Sequence, residues 1–145
     1  METSELLLHQ IFQTVRIISK GLNQHLESHG IYSSEWSIIT TLTEKGSMTQ
    51  GALASYLNIE PPAVSKTLVK LEKKGLIMRI PGTDKREKQV MLTNQANQQY
   101  LTWQEIVGHH RNALLANLSP QQQQEMTRLL QTIFENAQHY EKGAT

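Results

Sequence analysis

Apolar residues recur at steps of three and four along the first stretch of the chain, at Leu8, Ile11, Val15, Ile18, Leu22 and Leu26. That period predicts one stripe of a long amphipathic helix, from Ser4 to about His29, stopped by Gly30. A helix this long on a chain of 145 residues needs a large surface to lie against. A second helix is expected from Ser33 or Ser34, either of which can cap it, through Trp36, Ile39 and Leu42 to Gly46. Thr49 is a fit N-cap for a short third helix that buries Leu53, Ala54 and Leu57. Asn58 then separates Leu57 from Ile59. Asparagine tolerates the left-handed conformation that a tight turn between helices requires.

The fourth helix opens on Glu60-Pro61. Proline at the first helical position loses nothing, because that N–H has no partner in any helix. It also steers the preceding residue out of the helical region, which sharpens the boundary. The helix is expected to run to about Lys74 and to stop at Gly75, with Val64, Leu68 and Leu71 on its apolar side. Pro62, Ser65, Lys66, Val69, Lys70 and Lys73 make the opposite side. Leu76 to Ile80 and Gln89 to Leu92 read as strands, joined at a hairpin tip by Pro81 through Lys88. Thr93 can cap a fifth helix carrying Tyr100, Trp103, Val107, His110 and Leu114 on one stripe. Ser119-Pro120-Gln121-Gln122 is a capping box with proline at the first helical position, and the last helix follows through Met126, Leu129, Leu130, Ile133, Phe134 and Ala137. The fold expected is mainly α with a small antiparallel β-hairpin.

Composition fits one domain: 38% of residues are hydrophobic and 19% charged, with a net charge of +1. No apolar run approaches the roughly 20 residues that span a membrane. Met1-Glu2-Thr3-Ser4-Glu5 carries acid where a signal peptide carries positive charge, so the expected location is cytoplasmic. The chain has no cysteine, which excludes disulfides, thiolate nucleophiles, thiol redox sensing and any zinc site built on cysteine.

The small net charge conceals an uneven distribution. Residues 60–90 hold eight Lys and Arg against four Asp and Glu, while the remainder holds six against nine. A basic middle on an acidic body points to a polyanionic partner reached by one segment. A solvated charged face is the plainer alternative. The order of elements favours the first. A short helix, a tight turn and a helix with one polar-basic face form a helix-turn-helix, and a hairpin directly after it forms a wing. The second of those helices can enter a major groove, with Pro62, Ala63, Ser65 and Lys66 at base edges and Lys70 and Lys73 at phosphates. Arg86, at the wing tip in "DKREKQV", suits a narrow minor groove, where negative potential concentrates.

The run Asn58 to Thr93, "NIEPPAVSKTLVKLEKKGLIMRIPGTDKREKQVMLT", resembles the winged helix-turn-helix of the multiple antibiotic resistance regulator (MarR) family. "LEKKGLIMR" matches a family phrase, and Asp84, Arg86 and Val90 fit the wing pattern D-x-R-x-x-x-V. Length, helix order and flanking long helices extend the resemblance over nearly the whole chain. It implies a homodimeric, sequence-specific regulator of transcription, in most members a repressor, that binds double-stranded DNA. It implies three parts: a dimerisation helix over 1–30, a winged helix-turn-helix over 31–93 and C-terminal dimerisation helices over 94–145. It also implies Arg86 in the minor groove with Asp84 bracing the wing, and a pseudo-palindromic operator. Lys85 and Lys88 are phosphate contacts or solvated charge. A phenolic or amphipathic effector commonly binds between dimer helices and the DNA-binding lobe, where Arg16, Tyr32, Trp36 and Trp103 are the candidates here. Each of these has a plainer reading as core or as an ion pair across the dimer.

Departures from the family pattern are Tyr32 where Ser or Thr is frequent, which shifts the expected cap to Ser33, Asn58 in place of a glycine, and the double proline Pro61-Pro62. Two alternatives stay open. His25 with His29, and Glu105 with His109, are spaced four apart on helices and could hold zinc, as in some members of this family. A winged helix can also serve protein contacts alone. No cofactor is implied. No nucleophile–base pair, phosphate loop or metal-hydrolase motif is present, so an enzyme is not expected.

Overall fold

The computed structural model describes residues 1–83 and 87–143. Asp84, Lys85 and Arg86 lie outside the described residues, and so do the expectations placed on them. The order of elements is α1 (Thr3–Glu27), α2 (Ser33–Lys45), β1 (Met48–Thr49), α3 (Gln50–Leu57), α4 (Pro61–Lys73), β2 (Ile77–Pro81), β3 (Lys88–Leu92), α5 (Asn94–Leu114) and α6 (Pro120–Gly143). The chain forms two compact units, Met1–Arg111 and Asn112–Thr145. No helix among the described residues is long and apolar enough to cross a membrane.

Local chemistry sets most boundaries. Thr49 Oγ1 accepts the N–H of Ala52 at 3.1 Å and starts α3. Asn58 ends it in the left-handed region, at φ 53° and ψ 45°, and lets the Ile59 N–H return to the Ala54 carbonyl at 3.1 Å. Gly75, at φ +73°, closes α4. In the second unit Ser119 and Gln122 satisfy each other's backbone N–H groups at 2.9 and 3.1 Å, the expected capping box.

Two expectations need correction. Tyr32, rather than Ser33 or Ser34, holds the N-cap position of α2. Its backbone N–H donates to Glu35 Oε1 at 2.9 Å, and Ser33 N–H donates to Asn23 Oδ1 at 2.7 Å. A carboxylate one turn on and an asparagine from α1 satisfy the first amides, so a serine hydroxyl is not needed there. The hairpin also gains a third strand. Met48 and Thr49 pair with Val90 and Gln89, giving an antiparallel sheet in the order β1-β3-β2. Two residues carry no alternation to read. Pro81 closes β2, which is an edge strand, where the missing proline N–H costs no ladder bond.

The core of the first unit gathers Leu26, Ile31, Ile38, Ile39, Leu53, Val64, Leu68, Leu71, Val90 and Trp103. Only the last part of the α1 stripe joins it: Leu26 is buried and Leu22 packs against the cluster. Leu8 and Val15, further back on the same stripe, are exposed, as is Phe12. In α6 no residue is buried, and Met126, Leu129, Leu130 and Phe134 face solvent.

Candidate nucleic-acid interface

Helix α4 is anchored by Val64, Leu68 and Leu71, each at most 1% exposed. This fixes its opposite side outward. Pro62, Ala63, Lys66, Val69, Lys70 and Lys73 are all exposed there, and Ser65 is half-buried. Lys66, Lys70 and Lys73 follow at steps of four and three, so their ammonium groups stand along one face. None has an ion-pair partner among the described residues. Three unpaired cations on one side of a helix repel one another, and a polyanion relieves that repulsion.

The helix is short of its own acid. Glu72 turns to Arg79 on β2, with 3.7 Å between Oε2 and Nε. Arg79 also donates from one terminal nitrogen to Gln50 Oε1 at 3.4 Å. Thr49, Gln50, Gly51, Arg79, Glu87, Lys88 and Val90 line a shallow groove at the base of the wing. Lys88, on β3, is exposed there. The wing neck is tight. Gly82 N–H donates to the Glu87 carbonyl at 3.1 Å, and a Cβ on Gly82 would meet that same oxygen at 2.9 Å. Gly82 therefore does more than mark a turn: only glycine lets the two arms approach this closely, a requirement invisible in the sequence.

The effector candidates differ in their surroundings. Trp103 is 1% exposed and its indole N–H donates to the His29 carbonyl at 3.1 Å, which makes it a satisfied core residue as the chain stands. Trp36, half-buried, stacks on Tyr100 with ring centroids 5.3 Å apart. Tyr32 is 44% exposed and lies under the Lys74 ammonium at 5.1 Å. Arg16 is exposed on α1. The metal candidates are His25 with His29 and Glu105 with His109. His25 approaches His110 of α5 at 5.6 Å between ring centroids, and Gly21 leaves room for that ring, since a Cβ there would lie 3.0 Å from His110 Nε2. His29 Nδ1 is 3.1 Å from Ser28 Oγ, and Glu105 and His109 are exposed. Among the described residues no three His, Asp or Glu side chains converge on a metal position. In the second unit Arg128 grips exposed Glu125 at 2.9 and 2.6 Å and holds its carboxyl below the usual range.

One ion pair is not legible in the sequence. Lys74, counted only among the cations of the segment, donates to the buried Glu35 carboxylate at 2.6 Å. A glutamate in the first turn of an amphipathic helix is an ordinary surface signal, and nothing local marks this one as interior.

The model of the MarR family matches residues 31–88, from just before α2 to the first residue of β3. An uncharacterized HTH-type transcriptional regulator of Bacillus subtilis (strain 168), YwoH, is 48% identical over 94 residues, spanning 65% of this chain and 69% of its own. The organohalide-sensing transcriptional regulator RdhR, in its 2,4-dichlorophenol-bound form, superposes with a TM-score of 0.85 at 23% identity, over 94% of this chain and 82% of its own. A cysteine-to-serine mutant of MarR from E. coli, complexed with operator DNA, superposes with a TM-score of 0.81 at 22% identity, over 88% of this chain and 92% of its own. At those identities the two structures establish the fold.

Proposed function

The chain belongs to the MarR family of transcriptional regulators, and from that premise we propose that it acts as a homodimeric repressor on a pseudo-palindromic operator. The observation that carries this reading is the outward face of α4, where Lys66, Lys70 and Lys73 stand exposed and unpaired beside the wing. Pro62, Ala63, Ser65 and Lys66 occupy the N-terminal end of α4, the end that reads base edges in a helix-turn-helix. Lys70 and Lys73 reach phosphates further along, and Lys88 reaches one from the wing. Arg86 enters the minor groove at the wing tip, with Asp84 as its brace and Lys85 beside it.

Two chains are needed because one recognition helix reads too few bases to single out a site. The uncovered apolar faces of α1 and α6 are the dimerisation surfaces, and residues 31–93 are the DNA-binding part. Two α4 helices then meet successive major grooves about 10 bp apart. A phenolic or amphipathic effector, of the kind named for the dichlorophenol-bound relative, acts on this dimer through Arg16, Tyr32 and Trp36. The test is a titration of the purified dimer against its own promoter DNA at low salt, followed by footprinting. A protected pseudo-palindrome is the expected result. A dimer indifferent to that DNA would point instead to a winged helix used for protein contacts.

A further inference from the structure

Helix α4 is held along its length by apolar contacts of Val64, Leu68 and Leu71, which resist separation but have little directionality. Among the described residues, its directional fastenings to other elements lie at one end. Lys74, immediately after the helix, reaches Glu35 of α2 at 2.6 Å. The Gly75 carbonyl accepts the Thr93 hydroxyl at 2.7 Å, and the Leu76 carbonyl accepts the Thr93 N–H at 3.1 Å. Glu35 has one further donor, and the first turn of α2 that carries it is tied to α1 and α5. The Tyr32 N–H donates to the same Oε1 at 2.9 Å, Trp36 beside it stacks on Tyr100 of α5, and Ser33 is tied to Asn23 of α1. Glu35 is 1% exposed, and its second oxygen is buried with no hydrogen-bond partner among the described residues.

An ion pair with one buried partner, here Glu35 at 1% exposed against 32% for the Lys74 side chain, is poor evidence of a stability device, because desolvation of the carboxylate offsets much of the attraction. What it supplies is a fixed direction. The helix is 13 residues long, roughly 20 Å at the helical rise per residue. A small tilt at the Lys74 end therefore displaces the base-reading end by several times as much.

We propose that the Glu35–Lys74 pair is a positioning clamp, which sets the angle of α4 against the α1, α2 and α5 helices and thereby the separation of the two recognition helices in the dimer. The proposal rests on the DNA-binding reading above. Neither residue touches DNA in it; both act through α4.

The test uses the full-length dimer with Glu35→Gln, Lys74→Met and Lys74→Arg. Glu35→Gln keeps the acceptor for Tyr32 and removes the charge. Binding is measured on the whole operator, on a single half-site, and on operators with the half-sites moved one base pair closer or further apart. Wild type should discriminate among the three spacings. Glu35→Gln and Lys74→Met should each lose about tenfold on the whole operator, bind the half-site as wild type does, and discriminate less between spacings. Their salt slope should be unchanged, and Lys74→Arg should restore the wild-type pattern. Equal losses on operator and half-site, with a slope smaller by about 0.9, would make Lys74 a phosphate contact and overturn the clamp. Lower thermal stability with all DNA affinities intact would overturn it too. If wild type binds no DNA, the function reading fails first and takes the clamp with it. If Glu35→Gln does not fold, Lys74→Met against Lys74→Arg decides.

Discussion

The hydroxyl of Thr93 donates to the Gly75 carbonyl at 2.7 Å, joining the end of the recognition helix to the start of α5. The same oxygen accepts the Ala96 N–H at 3.2 Å, and the Thr93 N–H donates to the Leu76 carbonyl at 3.1 Å. One residue therefore caps α5 and satisfies two carbonyls of the turn after α4.

Thr93→Val keeps the shape and removes both hydroxyl bonds. It should lower stability by about 1–2 kcal/mol, the usual cost of losing a cap, while Thr93→Ser should lose much less. Denaturant midpoints at fixed protein concentration measure the difference. Equal midpoints for Val and Ser would show that the hydroxyl is idle.

Gly82 sits where the two arms of the wing approach each other closely. Its added Cβ would sit 2.9 Å from a backbone oxygen, which cannot swing aside as a flexible side chain could. Gly82→Ala should therefore spread the neck of the wing and weaken operator binding while α-helical circular dichroism and dimer mass stay unchanged. Wild-type affinity in that variant would mean that the wing neck tolerates opening.

Much of this architecture is legible in the chain because short-range chemistry sets it. Thr49, Asn58, Pro61, Thr93 and Ser119-Gln122 each mark a boundary through a contact within a few residues. What could not be read depends on distant partners. Glu35 and Lys74 are 39 residues apart, and each looks like surface charge alone. The strand Met48–Thr49 exists only because Val90 and Gln89 offer it an edge. The Tyr32 cap works because Asn23 and Glu35 satisfy the first amides. For the α4 cations, the apolar stripe on the far side already dictated which way they point.

Lys73 is exposed near the C-terminal end of α4 without an acidic partner among the described residues. As a phosphate contact it carries no base information. Lys73→Ala should weaken binding to specific and unrelated DNA alike and reduce the slope of log affinity against log salt by about 0.9. An unchanged slope would place Lys73 outside the interface.

Arg86 follows from the sequence pattern of the wing. Narrow minor grooves of A·T-rich tracts attract such a guanidinium most strongly. Arg86→Ala should lower affinity more on operators with A·T-rich flanks than on G·C-rich ones. Arg86→Lys should recover part of the loss. Equal losses on both flank types would leave Arg86 as a phosphate contact, and no loss on either would remove the wing from recognition.

The exposed stripe of α1 predicts what holds two chains together. Leu8, Phe12 and Val15 are 49%, 60% and 56% exposed at steps of four and three, too large and continuous an apolar row to leave in water. A charge placed there cannot be buried without a partner. Phe12→Glu should convert the protein to a monomer at micromolar concentration, read by sedimentation velocity. Because bivalent binding gains from effective concentration, operator affinity should fall far more than half-site affinity. The control is Gln13→Glu, adjacent in sequence and a quarter turn round the helix, which should remain dimeric. If Phe12→Glu stays dimeric and binds as wild type does, the interface lies elsewhere, and the same substitution at Leu129 or Phe134 on α6 becomes the deciding measurement.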